Sequence, residues 1–144
     1  MALSGADLGL LASRSVFAFA CHTAGLLGQE ASSSGAVWWG YTGMITAPEA
    51  SEEVLPLFSS LFSSICAAFA SADSSLSRRA VLEQIADWCQ QASEEVDRFL
   101  LADLDVDAAP VLLCLLQIWQ RLRVWEPGAL EPMYHPQSPP PILL

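Results

Sequence analysis

The clearest hydrophobic pattern in the chain lies in its middle, in a run without any charged side chain. Residues 55–72, LPLFSSLFSSICAAFASA, repeat apolar positions at intervals of three and four and carry their serines largely on another side. This periodicity is typical of an α-helix with a mildly polar flank. Five serines, Pro56 and the lack of basic or aromatic anchors favour a soluble helix over a bilayer span, and conditional insertion stays open. The sequence predicts a central helix, buried on most of its surface.

Further helices are predicted on both sides of this run. Residues 8–27 have the spacing of one helix that Gly28 can end, and the serine-rich residues 30–35 then form a loop. After a turn that Asp73 or Ser75 can cap, the clearest amphipathic helix follows. Its predicted buried stripe is Val81, Ile85, Trp88, Ala92, Val96 and Phe99.

The C-terminal part contains one more predicted helix and a proline-rich tail. Asp107 can cap a helix from Ala108 to Trp125. From Pro127 onward, five further prolines without periodicity predict an extended tail that forms no core. Its apolar end, residues 142–144, is either a frayed terminus or a docking segment. We therefore expect a helical domain over residues 1–126 and a tail over 127–144, in an all-α fold: a compact bundle of four to five helices.

A dense aromatic cluster supplies the candidate binding residues. In AVWWGYTGMI, residues 36–45, we expect a short helix or turn packed on the core. Tryptophan and tyrosine give a large contact area for little lost conformational freedom, which suits a binding anchor. Filling a core is the competing explanation for each. The candidate partner-binding residues are Trp38, Trp39 and Tyr41, with Trp119, Leu122 and Trp125 as a second face.

Composition narrows the class of function. Hydrophobic residues make up 53% of the 144 positions and charged residues only 15%, which calls for a partner surface, a membrane or a large core. Sixteen acids oppose six arginines and no lysine, so the net charge is −10. An acidic surface without a basic stripe repels phosphate backbones, so no nucleic-acid partner is expected. The sequence favours a protein partner or a homo-oligomer, with membrane contact as a weaker alternative.

The cysteines and the N-terminus indicate the compartment. Cys21, Cys66, Cys89 and Cys114 are spread one per apolar segment without a close pair, as expected for buried thiols in a reducing compartment. Residues 2–13 do not match a signal peptide, because an acid stands where a basic region is expected. The expected localisation is cytoplasmic or nuclear.

Candidate catalytic and metal-binding patterns fail on spacing. Asp103, Asp105 and Asp107 alternate like the start of a calcium loop, but alanine and cysteine occupy the positions that require glycine and a bidentate acid. Cys21 and His22 are neighbours that would point about 100° apart on a helix, too far apart for a catalytic dyad. We therefore expect no catalytic residue, no metal site and no cofactor.

The succession of an apolar helix and an amphipathic one resembles the core hairpin of the Bcl-family apoptosis regulators, including divergent viral members. The resemblance covers residues 55–104, and VLEQIADWCQQASEEVDRFL, with Ile85, Ala86 and Trp88, is similar to the helix that follows the central helix in that family. The family's Asn-Trp-Gly-Arg and Leu-x-x-x-Gly-Asp motifs and its C-terminal anchor have no counterpart in this chain. The resemblance implies an all-α fold whose groove binds amphipathic helices.

Taken together, these patterns predict a non-enzymatic interaction protein. It would bury an apolar face or groove against a partner protein, as an adaptor or as a subunit of a larger complex. A Bcl-like regulator of apoptosis or signalling and a small membrane-associated helical protein are the alternatives.

Overall fold

A three-stranded sheet is the main departure of the structure from the predicted helical bundle. The computed structural model describes residues 5–49 and 51–139, which contain both helices and a mixed sheet. The predicted all-α fold is therefore wrong. The chain divides into two units, residues 5–44 with 121–139 and residues 45–120. The first unit contains α1 (Gly5–Leu8), a 3-10 turn (Gly9–Leu11), β1 (Ser15–Phe17), α2 (Leu26–Ser33), β2 (Val37–Tyr41) and β3 (Leu122–Trp125). The second contains α3 (Val54–Ser71), α4 (Ser75–Leu101) and α5 (Ala108–Gln120).

The first unit begins with a strand, a helix and a second strand, where one helix over residues 8–27 was predicted. β1 and β2 run parallel and α2 connects them. Gly28, predicted to end a helix, lies inside α2, and most of the predicted loop 30–35 belongs to the same helix. Short apolar runs fit a helix or a strand about equally well. Here backbone pairing with β2 makes residues 15–17 a strand.

β2 lies at the centre of the sheet and pairs on its other side with β3. The β2–β3 pairing is antiparallel, with Trp38 opposite Trp125 and Tyr41 opposite Leu122. Every residue of both strands is buried. Aromatic and β-branched side chains favour strands because they pack well on a pleated surface, and β3 accordingly takes the residues predicted to end the last helix.

One face of the sheet packs on α2 through two tryptophans. Trp38 and Trp125 cluster with three small or aliphatic buried side chains, Leu8, Ala31 and Ala36. Gly28 of α2 lies against both indoles, so close that a Cβ there would stand 2.5 Å from Cδ1 of Trp125. The missing side chain is therefore what allows this helix to approach the sheet.

The described part of the predicted tail folds back onto β3. Met133 and Val124 exchange two backbone hydrogen bonds of 2.8 Å each. The Gly128 N–H donates to the carbonyl oxygen of Ser32 over 3.1 Å, and the Ser32 hydroxyl donates to that of Glu126 over 2.6 Å. The tail thus covers the outer edge of β3. The possible docking segment 142–144 lies outside the described residues.

In the second unit, α5 rather than α3 is the well-buried apolar helix. Six of the thirteen residues of α5 are buried. Of the eighteen residues of α3, only Val54, Leu61 and Ile65 are buried. The prediction of a central helix buried on most of its surface is therefore wrong. The Bcl-like resemblance loses its structural basis as well, since it implied an all-α fold around such a helix.

The starts of α3 and α5 agree with the sequence patterns, whereas the cap of α4 lies one residue from each predicted position. α3 begins at Val54, next to the predicted start at residue 55, and α5 begins at Ala108 as predicted. The cap of α4 is Ser74 rather than Asp73 or Ser75. Its hydroxyl accepts from the Ser77 N–H over 3.1 Å, and the Ser77 hydroxyl accepts from the Ser74 N–H over 2.9 Å. This reciprocal capping box fixes the turn between α3 and α4.

Candidate interaction groove

The six residues predicted to bind a partner all lie in the interior. They are at most 7% exposed and belong to three different elements, with Trp38, Trp39 and Tyr41 in β2, Trp119 in α5, and Leu122 and Trp125 in β3. The helix predicted to carry the second face ends at Gln120, so Leu122 and Trp125 belong to a strand and not to that helix.

Hydrogen bonds explain why two of these tryptophans are held inside. Nε1 of Trp38 donates to the carbonyl oxygen of Thr23 over 2.9 Å, and Nε1 of Trp125 donates to that of Ala24 over 2.7 Å. Trp39 stacks on Phe17 with ring centroids 5.8 Å apart. A buried indole needs such a partner for its N–H. In this fold these side chains stabilise the sheet, and a partner that used them would have to displace these contacts.

A continuous strip of exposed and half-buried apolar side chains lies on α3, besides exposed leucines elsewhere in the chain such as Leu10, Leu101 and Leu130. Leu55, Phe58, Phe62 and Cys66 follow one another at intervals of three and four residues and so form one strip, the α3 flank. Leu55 is 58% exposed, Cys66 is exposed, and the two phenylalanines are half-buried. The phenylalanine rings stack on each other with centroids 6.1 Å apart. This is the strip that a soluble helix would normally cover with a neighbouring element.

On its other side, α3 forms a groove with α4. The groove has a volume of about 450 Å³. Its apolar lining is Leu57 and Leu61 from α3 and Trp88 and Ala92 from α4. The polar lining consists of Ser60, Ser64, Gln91, Glu95 and Arg98. An apolar floor with polar edges is the usual composition of a binding groove between helices.

Two aromatic residues, Trp88 and Phe99, are less buried than the sequence pattern predicted. Both were assigned to the buried stripe of α4 and are half-buried, whereas the stripe residues Ile85 and Ala92 are buried as predicted. Trp88 is half-buried, whereas the other four tryptophans of the chain are buried. Trp88 lies at one edge of the predicted stripe, and its ring is too large for that edge to be covered completely. These two properties could have indicated from the sequence that Trp88 is only partly buried.

Charge is distributed very unevenly between the two units. Twelve of the sixteen acids and three of the six arginines lie in residues 45–120, so the helical unit has a formal charge of −9 and the rest of the chain −1. Asp87 and Glu94 are exposed on α4, each next in sequence to a residue that lines the groove, and Glu95 pairs with Arg98 within the lining. The groove therefore opens into a strongly acidic surface.

The described residues contain no cluster of metal-ligating side chains, and two of the four thiols are buried. Among the described residues, no group of three histidine, cysteine or acidic side chains could hold a metal ion. Glu49, Asp105 and Asp107 line a small cleft but do not form such a group. Burial raises the pKa of the Cys89 and Cys114 thiols, which makes both poor nucleophiles.

The length and composition of α3 also fit a bilayer. It is the one helix in the described part of the chain that is long and apolar enough to span a membrane, with eighteen residues, a mean hydropathy of 1.7 and 17% of those residues buried. A single helix of this kind is weak support for a membrane protein, because helices of soluble proteins and signal sequences share these properties.

Comparison with known proteins identifies no relative. No protein family, curated protein or solved structure matches the chain.

Proposed function

We propose that this chain is a non-enzymatic interaction protein that buries the apolar surface of α3 against a partner protein, as an adaptor or as a subunit of a complex. The observation that carries the proposal is that α3, a helix of eighteen residues without a charged side chain, has only three buried residues. Contiguous exposed apolar surface on a soluble domain commonly marks an interaction site.

The side chains on this surface have the chemistry of binding anchors. Complete burial of a leucine or phenylalanine side chain contributes about 1.5–3 kcal/mol. The half-buried phenylalanines already stack on each other, so a partner that covers them causes only a small further loss of side-chain conformational entropy. The free thiols of all four cysteines suit a cytoplasmic or nuclear site of action, the compartments favoured by the sequence.

The test compares two pairs of substitutions. Leu55→Ser with Phe62→Ser removes one exposed and one half-buried side chain of the α3 flank, and Leu76→Ser with Leu101→Ser is the control at leucines that are 80% and 87% exposed. Proteins that co-purify with the wild type should be lost from the first variant and kept by the second. Circular dichroism of both variants verifies that the helices persist. Equal retention by both variants would exclude the α3 flank as the interaction surface.

Insertion of α3 into a bilayer is a second candidate, favoured by its length and hydropathy. An eighteen-residue helix is about 27 Å long, close to the thickness of a hydrocarbon core. Flotation with phosphatidylcholine vesicles separates the two proposals. A protein that floats with vesicles and resists extraction by alkaline carbonate would support insertion. A protein that stays in the dense fraction would exclude it under those conditions.

A further inference from the structure

We propose that the groove between α3 and α4 binds a basic amphipathic helix of a partner protein. This inference rests on the proposed function, since it also assigns a partner protein to α3, and it adds a second surface of that helix and the chemistry of the partner. It is carried by two independent features of the helical unit, namely the apolar floor of the groove and the concentration of negative charge around it.

The construction of the groove selects a helix over an extended segment. Both walls are α-helices, whose backbone N–H and C=O groups are already paired within each helix. An extended segment would find no strand edge here and would lose the hydration of its own backbone groups. A helix satisfies these groups internally and presents only side chains, so it fits such a groove at a lower cost.

The dimensions of the groove set the spacing of the anchors. Its lining on α3 runs from Leu57 to Ser64, about 10 Å along the helix axis at 1.5 Å per residue. That length matches two turns of a bound helix, with apolar side chains at positions i, i+3 or i+4, and i+7. Leu57, Leu61 and the half-buried Trp88 provide the apolar contacts for these three positions.

The negative charge of the helical unit indicates which class of partner the groove can bind. A unit with a formal charge of −9 repels a second copy of itself, nucleic acid and an anionic lipid surface. It attracts lysine and arginine side chains. Asp87 and Glu94 are exposed on α4 outside the lining, each next in sequence to a lining residue, whereas Arg98 pairs with Glu95 within the lining. The lining itself therefore has no net charge, and the attraction for a cationic helix comes from the acidic surface of the helical unit around it.

The experiment uses three synthetic peptides of eighteen residues with the same leucine and alanine positions. Their polar faces carry arginine and lysine, glutamine, or glutamate. Binding to the full chain is measured by fluorescence anisotropy at several salt concentrations. We expect the basic peptide to bind at least tenfold more tightly than the neutral one, with an affinity that falls as salt rises, and the acidic peptide not to bind.

Three variants test whether the peptides bind in the groove. Asp87→Asn with Glu94→Gln should weaken the basic peptide severalfold and leave the neutral one unchanged. Asp103→Asn with Asp105→Asn removes the same charge from exposed positions in the loop after α4 and should change both much less. Leu57→Glu, at a partly exposed position, should weaken every peptide, and circular dichroism verifies its fold.

The possible failures are distinguishable. Equal binding of basic and neutral peptides would overturn the charge inference but leave a groove that accepts helices. Preference for the acidic peptide, or no binding of any peptide to the folded chain, would overturn the inference outright. In either case, loss of co-purifying proteins from the α3 flank variant would keep the proposed function. Retention of those proteins would overturn the proposed function separately, because the flank and the groove lie on different sides of α3.

Discussion

The indole nitrogen Nε1 of Trp125 donates a hydrogen bond of 2.7 Å to the carbonyl oxygen of Ala24, a residue 101 positions earlier in the chain. This bond joins the last strand to the segment that leads into α2, and both sides of the contact are buried. The position of the Trp125 ring therefore links the two ends of the sequence, and substitutions that move the ring should destabilise the sheet.

Gly28→Ala tests this packing directly. The new methyl group would stand 2.5 Å from Cδ1 and 2.8 Å from Nε1 of Trp125. Because the ring is buried and held by its hydrogen bond, we expect the free energy of unfolding to fall by about 1–3 kcal/mol, measured by urea denaturation. Gly9→Ala is the control, because nothing lies within 4 Å of its added Cβ. Equal stability of the two variants would contradict the tight approach of α2 to the sheet.

Arg123 should hold the tail in place. It is 2% exposed, its guanidinium carbon lies 4.5 Å from the ring centroid of Tyr134, and it donates a 3.1 Å hydrogen bond to the carbonyl oxygen of Pro139. Tyr134→Ala removes the ring and leaves the cation without that contact, so amides near Met133 should exchange faster with deuterated solvent. Tyr134→Phe keeps the ring face and should retain protection. If both variants exchange alike, the ring does not hold the tail.

The four cysteines should fall into two classes of reactivity. Cys21 and Cys66 are exposed, whereas Cys89 and Cys114 are buried on α4 and α5. Iodoacetamide at pH 8 should alkylate the first two rapidly and the second two only after unfolding in urea. Mass spectrometry of peptides from the folded and unfolded chain measures the difference. Rapid alkylation of Cys114 in the folded chain would place α5 at the surface.

The buried thiols also imply a loss of stability at high pH. Burial raises the pKa of Cys114 from 9.0 to about 11 and raises that of Cys89 further. Between these values the unfolded chain releases the Cys114 proton and the folded chain keeps it, so the free energy of unfolding falls as pH rises from 9 to 11. Denaturation at several pH values in this range measures how steeply the free energy of unfolding falls with pH, and this slope should be smaller in the double variant Cys89→Ala with Cys114→Ala. If the slope is unchanged, the loss of stability at high pH comes from other ionisable groups.

Ser74→Ala should weaken the start of α4. The substitution removes the acceptor for the Ser77 N–H and half of the capping box. N-cap replacements of this kind cost about 1 kcal/mol, within a range of 0.5–2. Chemical denaturation should therefore show a lower stability than in Ser59→Ala, which changes an exposed serine within α3. A smaller effect at Ser74 than at Ser59 would mean that the cap lies elsewhere.

The sequence predicted the helices of the second unit well, because their apolar periodicity extends over three or more turns. Val81 and Ile85 of α4 are buried as expected, and α5 begins where Asp107 indicated. The degree of burial of α3 was not predictable in the same way. Periodicity shows which residues share a face but not whether another element covers that face.

The strands were missed for a physical reason. β1, β2 and β3 contain three, five and four residues, too few for an alternating pattern to stand out from a helical one. Their identity depends on partners elsewhere in the chain, since Trp39 pairs with Val124 across 85 positions. The groove was missed similarly, because whether Trp88 lies in the core or at its edge depends on which neighbour packs beside it.

The connection from β2 to β3 has a consequence for folding. All three helices of the second unit lie between these two strands, yet the N–H of Thr42 and the carbonyl oxygen of Arg121, at the two ends of that long insertion, are hydrogen-bonded over 2.9 Å. The contacts α3–α4 and α4–α5 are between consecutive helices and can form as soon as those helices have been synthesised. The pairing of β2 with β3 can form only after residues 122–125 have been synthesised. It also requires closure of a loop of about eighty residues, which costs conformational entropy. During synthesis, β2 and its two tryptophans therefore leave the ribosome long before their last partner strand does, and a chain interrupted before residue 122 exposes them to chaperones and to other nascent chains.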